Sequence, residues 1–286
     1  MSWLLLLPCP LAQVPGYTIS FVAGGGTSGI LGDGGPATSA SLSAVYDVAI
    51  DSSGNLYIAD TGDNRIRKVS TSGTITTVAG GGTASANSPV GDGGPATSAV
   101  LGYPAAVAVD AVGNLYIADT ENNRVRKVSA SGTITTVAGP GSSNGALGDG
   151  GPATAGTLID PEGIAVDAAG DLYIADTFHN RVRKVSASGI ITTVAGGGSA
   201  SAGIGDGGQA TAATLLYPTG LAVDAAGNLY VADSGHGRIR VVSPAGIINT
   251  VAGDGNFGYS GDGGLATIAE IGTLVVCAEQ RVAQGG

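Results

Sequence analysis

Residues 113–128 read Gly-Asn-Leu-Tyr-Ile-Ala-Asp-Thr-Glu-Asn-Asn-Arg-Val-Arg-Lys-Val. The same stretch recurs, little changed, at 54–69, 170–185 and 227–242. Its central aspartates, Asp60, Asp119, Asp176 and Asp233, are 59, 57 and 57 residues apart. A period of this size is the signature of a repeat architecture, in which each copy buries its apolar surface against the next.

Working outward, one full module runs from 104 to 139. Ala106 to Val109 is a first strand. Asp110 to Asn114 is a turn, with an Asp side chain able to accept backbone N–H bonds and Gly113 free to take positive φ. Leu115 to Ala118 is a second strand, Asp119 to Asn123 a second turn, and Arg124 to Val128 a third strand. After Ser129 to Gly132 turns the chain, Thr133 to Ala138 is a fourth strand. Short strands at this spacing form an antiparallel meander. The first two are apolar at nearly every position, so both faces should be covered. Blades packed side by side around a propeller supply that cover. The expectation is all-β: four full modules at about 45–80, 104–139, 161–196 and 218–253, with partial blade strands outside them, within a propeller spanning 17–279. The match of 18–24 to the fourth strand places a lone last strand in front. Leu274 to Ala278 is a poor first strand behind, and 280–286 is a tail.

Every module is preceded by a linker with one motif, GDGGPATSASL at 32–42 and its relatives at 91–101, 148–158, 205–215 and 261–271. Its Ala/Thr/Ser part suits one helical turn, and Leu42, Leu101, Leu158 and Leu215 should tuck into the core.

These units resemble NHL repeats, and with their GDGGPAT linkers they are similar to bacterial NHL proteins and to the NHL part of teneurins. The resemblance implies a β-propeller, usually six-bladed. Six modules would need about 342 residues by the additive logic of repeats. The 286 residues therefore read as an incomplete six-bladed array. Family members bind proteins, carbohydrate-like ligands or RNA, and one branch is a lyase; fold does not choose among these.

Composition narrows the choice. The net charge is −10, which disfavours nucleic acid, whose phosphates require Lys and Arg. Eleven of the twelve basic residues fall in the repeated third strand and carry no aromatic platform, so they follow the repeat and form no RNA-binding patch. Cys9 and Cys277 form no metal-ligand spacing. Residues 1–16 read as a degenerate secretion signal or an ordinary N-terminal extension; Trp3 to Leu7 is too short to span a bilayer. An extracellular or cell-envelope location is the corresponding expectation.

Asp60–Arg65, Asp119–Arg124, Asp176–Arg181 and Asp233–Arg238 flank the second turn and read as structural pairs that clamp it. The linker aspartates Asp33, Asp92, Asp149, Asp206 and Asp262 read as caps on tight glycine turns. His179 and His236 stand where Asp63 and Asn122 stand in earlier modules. They are expected as exposed turn residues, with Zn²⁺ ligation or acid–base work as the alternative. No cofactor is expected; Ca²⁺ at the Asp-rich turns is the other metal weighed. Variation concentrates at Asp63, Glu121, Asn122, Phe178, His179, His236 and the insert 83–90, where specificity would reside. The reading is a non-enzymatic secreted or cell-surface scaffold, monomeric or part of a larger chain, that binds a protein or glycan through its loop face. A metal-assisted lyase or hydrolase in the propeller channel, and a structural module of a larger truncated protein, are the alternatives.

Overall fold

A computed structural model describes residues 20–27, 29–83, 91–139, 146–199 and 203–272. The two cysteines, the N-terminal segment 1–16, nearly all of the insert 83–90 and the strand expected at 274–278 lie outside these residues.

Among the described residues, sixteen strands form four four-stranded antiparallel sheets. The first blade holds β1 (Val45–Ile50), β2 (Leu56–Asp60), β3 (Arg65–Val69) and β4 (Ile75–Gly80). The second holds β5 (Pro104–Val109), β6 (Leu115–Asp119), β7 (Arg124–Val128) and β8 (Ile134–Ala138). The third holds β9 (Pro161–Val166), β10 (Leu172–Asp176), β11 (Arg181–Val185) and β12 (Ile191–Gly196). The fourth holds β13 (Pro218–Val223), β14 (Leu229–Asp233), β15 (Arg238–Val242) and β16 (Ile248–Ala252). Strands follow sequence order across every blade, so the molecule is a propeller of four meanders.

The turns follow from local chemistry. After β5, the Asp110 carboxylate accepts the backbone N–H of Val112 and Asn114, and Gly113 sits at φ 86°. The same carboxylate accepts the Tyr116 hydroxyl at 3.4 Å, so the buried Tyr of the repeat has its polar tip satisfied. After β6 comes one turn of 3₁₀ helix, Thr120–Asn122, closed by Asn123 at φ 53°. Asn64 and Asn180 do this in the first and third blades and Gly237 in the fourth, as the left-handed region demands.

The inner strands meet: β1 packs on β5, β5 on β9 and β9 on β13. They come so close that a Cβ on Gly163 would lie 1.8 Å from the Thr219 carbonyl oxygen, so this position admits only glycine. Three apolar clusters fill the three junctions between blades. Leu101, Leu158 and Leu215 drop from their linkers into these clusters, each burial worth about 1.5–3 kcal/mol. The burial explains why the first and second strands lack polar alternation. β5, between two blades, is buried at every residue, whereas β1 exposes Val45, Tyr46 and Ile50.

Each linker lies on the outer strands. Pro95 bridges Thr133 of the blade it precedes, and Gly82 beyond β4 donates to Ala99. The linker is thereby pinned to the outer edges of two consecutive blades. The expected helical turn is a 3₁₀ turn, Ala96–Ser98 in this linker. The described residues of the expected leading strand, 20–24, join no sheet; Gly24 still donates to Ala37 of the first linker.

Candidate functional site

The second strand of each blade ends beside the start of the first, so the 3₁₀ turn and the residues entering the inner strand share one end of the molecule. Glu121 N–H donates to the Gly102 carbonyl there. Two groups of residues occupy this end: a set repeated in all four blades, and a set that differs from blade to blade.

The repeated set is built on a buried arginine. Arg67, Arg126, Arg183 and Arg240 are 0% exposed. Arg126 Nη1 donates to Asp119 Oδ2 at 3.1 Å, and its Nη2 to Asp92 Oδ1 at 2.6 Å. Arg67 does the same with Asp60 and Asp33, Arg183 with Asp176 and Asp149, and Arg240 with Asp233 and Asp206. The other oxygen of Asp119 accepts Gly102 N–H at 2.7 Å. One guanidinium thus ties third strand, second strand and linker together.

This corrects the pairing expected from the hairpin. Asp60, Asp119, Asp176 and Asp233 are the register partners of Arg65, Arg124, Arg181 and Arg238, but their carboxylates take the arginine two residues further on. Four of the five linker aspartates, Asp33, Asp92, Asp149 and Asp206, are likewise ion partners of that arginine and more than turn caps. Arg181 bends to the Gly196 carbonyl, and Arg238 to those of His236 and Asp254. Burial pushes the Asp60 and Asp119 carboxyls above the ordinary range, outweighing the downward pull of their amide and guanidinium partners.

The histidines are held by the same aspartates. His179 Nδ1 lies 2.8 Å from Asp176 Oδ2, and His236 Nδ1 lies 2.9 Å from Asp233 Oδ2. In the second blade Asn122 Nδ2 donates to Asp119 Oδ1 at 2.8 Å from the same turn position. Asn and His therefore clip the turn interchangeably. Among the described residues no group of three His, Cys, Asp or Glu side chains is placed to hold a metal ion.

The variable set stands at the start of the inner strands and on the 3₁₀ turns. Tyr103, Asp160 and Tyr217 precede the strand prolines and receive, at their backbone N–H, the side chains of Asn64, Asn123 and Asn180 from the preceding blade. All three have φ near +48°. Tyr46 meets Tyr103 edge-to-face with centroids 5.2 Å apart, and Phe178 meets Tyr217 the same way at 5.5 Å. Phe178 is 53% exposed and Tyr217 46%. Between these pairs, in blade order, come Glu121, Asp160 and Glu162. Burial raises the Glu162 carboxyl above its ordinary value, with Asp160 adding to the rise. The Tyr103 hydroxyl is pushed up to about 12 by burial, then by Tyr46, Glu162 and Glu121. Asp63 sits on the first blade's turn, within electrostatic reach of Asp60.

Sequence reasoning singled out Asp63, Glu121, Asn122, Phe178, His179 and His236 at this end. It missed Tyr46, Tyr103, Asp160, Glu162 and Tyr217. The available signal was departure from the repeat: Tyr46 and Glu162 align with Ala105 and Thr219.

Three overlapping stretches, residues 83–146, 139–203 and 198–262, match the Teneurin NHL domain family, and residues 47–69 match the NHL repeat. The chain belongs to the teneurin NHL domain family. It is 34% identical over 234 residues to teneurin-1 of Gallus gallus and 36% identical over 233 residues to teneurin-4 of Mus musculus. Each alignment covers 74% of this chain and 8% of the relative, so this NHL chain corresponds to a small part of much larger proteins. A solved auxiliary nutrient binding protein from Bacteroides ovatus shares the fold at 19% identity, with a TM-score of 0.52 over 74% of this chain and 49% of that one. No helix among the described residues is long and apolar enough to cross a membrane.

Proposed function

We propose that this NHL chain is a non-enzymatic interaction module, at the cell surface or secreted, that binds a protein or glycan through the end carrying the 3₁₀ turns. One observation carries the reading. At this end the repeated arginines and their inner aspartates are buried, and side chains that differ between blades, Glu121, Phe178 and Tyr217 among them, stand exposed outside them. A scaffold that repeats while its exposed rim varies is the arrangement expected of a recognition surface. The similarity to teneurins, which are larger proteins, supports a module working within a longer chain.

The lyase or hydrolase alternative gains nothing from the geometry. The oxygen of Asp176 that holds His179 also accepts from Arg183, and Asn122 fills the equivalent place in the second blade. A screen of purified chain against panels of extracellular proteins and glycans tests the proposal. Binding should be lost in a Glu121→Ala/Phe178→Ala variant and kept when Lys68 and Lys127, in the third strands, are changed to Ala. A partner whose binding no substitution at the turn end alters would overturn it.

A further inference from the structure

The face just described has a specific chemistry. Two aromatic pairs stand at the first and third junctions between blades, with Tyr46, Phe178 and Tyr217 exposed and Tyr103 half-buried, and three carboxylates stand at the junction between them. Glu162 is partly buried, and among the described residues no hydrogen bond or ion pair holds its carboxylate. Its carboxyl is raised because water has been partly removed and Asp160 is near, with no cation among the causes. Glu121 lies against the Gly102 backbone, beside Tyr103. The third-strand lysines do not neutralise this group: Lys68, Lys127 and Lys184 lie over Tyr57, Tyr116 and Tyr173, near the opposite ends of the strands. The buried arginines do not neutralise it either, since each is bracketed by two aspartates of its own.

Exposed aromatic edges and faces beside uncompensated carboxylates suit one kind of side chain above others. A guanidinium is planar, stacks on an aromatic ring and donates to carboxylates from its edge. Accessible aromatics alone would also suit a sugar ring. Three neighbouring carboxylates, one of them partly desolvated, favour a cation over a neutral hydroxylated ligand. We propose that this face takes an arginine side chain from a basic segment of a partner protein, seated against the Tyr46–Tyr103 pair with Glu121, Asp160 and Glu162 as its counter-charges. The proposal rests on the turn end being the recognition surface and names the class of partner that surface selects.

The test uses the full chain and a fluorescent Gly-Arg-Gly-Arg-Gly peptide, read by anisotropy at low and at physiological salt. The matched peptide with citrulline in place of arginine keeps the length and planar shape of the side chain but loses the charge, exchanging one N–H2 donor group for a carbonyl acceptor. The arginine peptide should bind at least about tenfold more tightly than the citrulline peptide, the difference expected of a charge-assisted pair. Glu162→Gln and Tyr103→Ala should each weaken arginine-peptide binding by roughly tenfold or more. Asp262→Asn, which removes an exposed carboxylate on the outer linker after the fourth blade, should leave it unchanged. Equal affinity for the two peptides, no binding of either, or equal weakening by Asp262→Asn and Glu162→Gln would overturn the proposal. If a neutral oligosaccharide binds and Tyr103→Ala abolishes that binding while the arginine peptide fails, the arginine assignment falls and the recognition surface stands. If a partner binds and no turn-end variant matters, both fall.

Discussion

The arginine group and the aromatic-acidic rim share one end of the molecule and obey opposite rules. Arg67, Arg126, Arg183 and Arg240 meet the same two partners in every blade at nearly the same distances. Around them, Tyr103 is replaced by Asp160, Phe178 by Glu121, and Glu162 by Thr219. A buried charge tolerates no loss of a partner, because the desolvation cost then stands alone. An exposed rim residue answers only to what it meets in solution. The repeat is thus strict where dielectric is low and free where water reaches.

The sharpest way to break this contrast is to remove one inner partner. Asp119→Ala takes from Arg126 its buried ion partner and deprives Gly102 N–H of its acceptor. Unfolding in urea should show a loss of about 3–5 kcal/mol. A loss under about 1 kcal/mol would mean that the arginine finds compensation elsewhere and that the strictness has another cause.

Asp47 is the place where the variable set enters the core, and it gives the next largest effect. It stands in β1 where the other blades have Ala106, Gly163 and Gly220. Its carboxylate accepts Val48 N–H at 2.8 Å and, across the blade junction, Val107 N–H at 3.0 Å. Burial raises its carboxyl to about 7. The folded chain therefore keeps this proton up to about pH 7, while the unfolded chain releases it near pH 4. Stability should be unaffected by this group below about pH 4, fall as pH rises from about 4 to 7, and level off above. Between pH 5 and 8 the fall should be about 2–3 kcal/mol. Asp60 and Asp119 shift in the same direction, so Asp47→Asn should remove part of the slope and keep the rest. Parallel pH profiles for the two proteins would exclude Asp47 as a contributor.

The smallest effect belongs to the rim. Glu121→Ala should change stability by no more than about 0.5 kcal/mol, as surface substitutions do. A larger loss would move Glu121 from the free set to the strict one.

The strands and turns were legible because period, Asp-x-x-Gly turns and apolar runs all point to one meander. The clamp was only half legible. Hairpin register sets Asp119 opposite Arg124, and that much can be read locally. The deeper Arg126 wins because a linker arriving from 34 residues away covers it and brings Asp92. No local pattern reports that arrival. The rim was legible on its turn side, where Glu121 and Phe178 interrupt a run of small and polar residues. Tyr103 and Tyr217 escaped because a residue before a strand proline looks like part of the entry to the strand. Only the left-handed backbone there, held by Asn64 and Asn180, turns their rings onto the open end.

The linkers, tied along the outer strands of two neighbours at once, give the array a mechanical character. Tension applied between modules would be carried by short rows of peptide hydrogen bonds at the perimeter before it reached the inner strands. The molecule should yield one module at a time while the remaining modules hold their shape. Within a longer polypeptide such a chain would give way in steps under load.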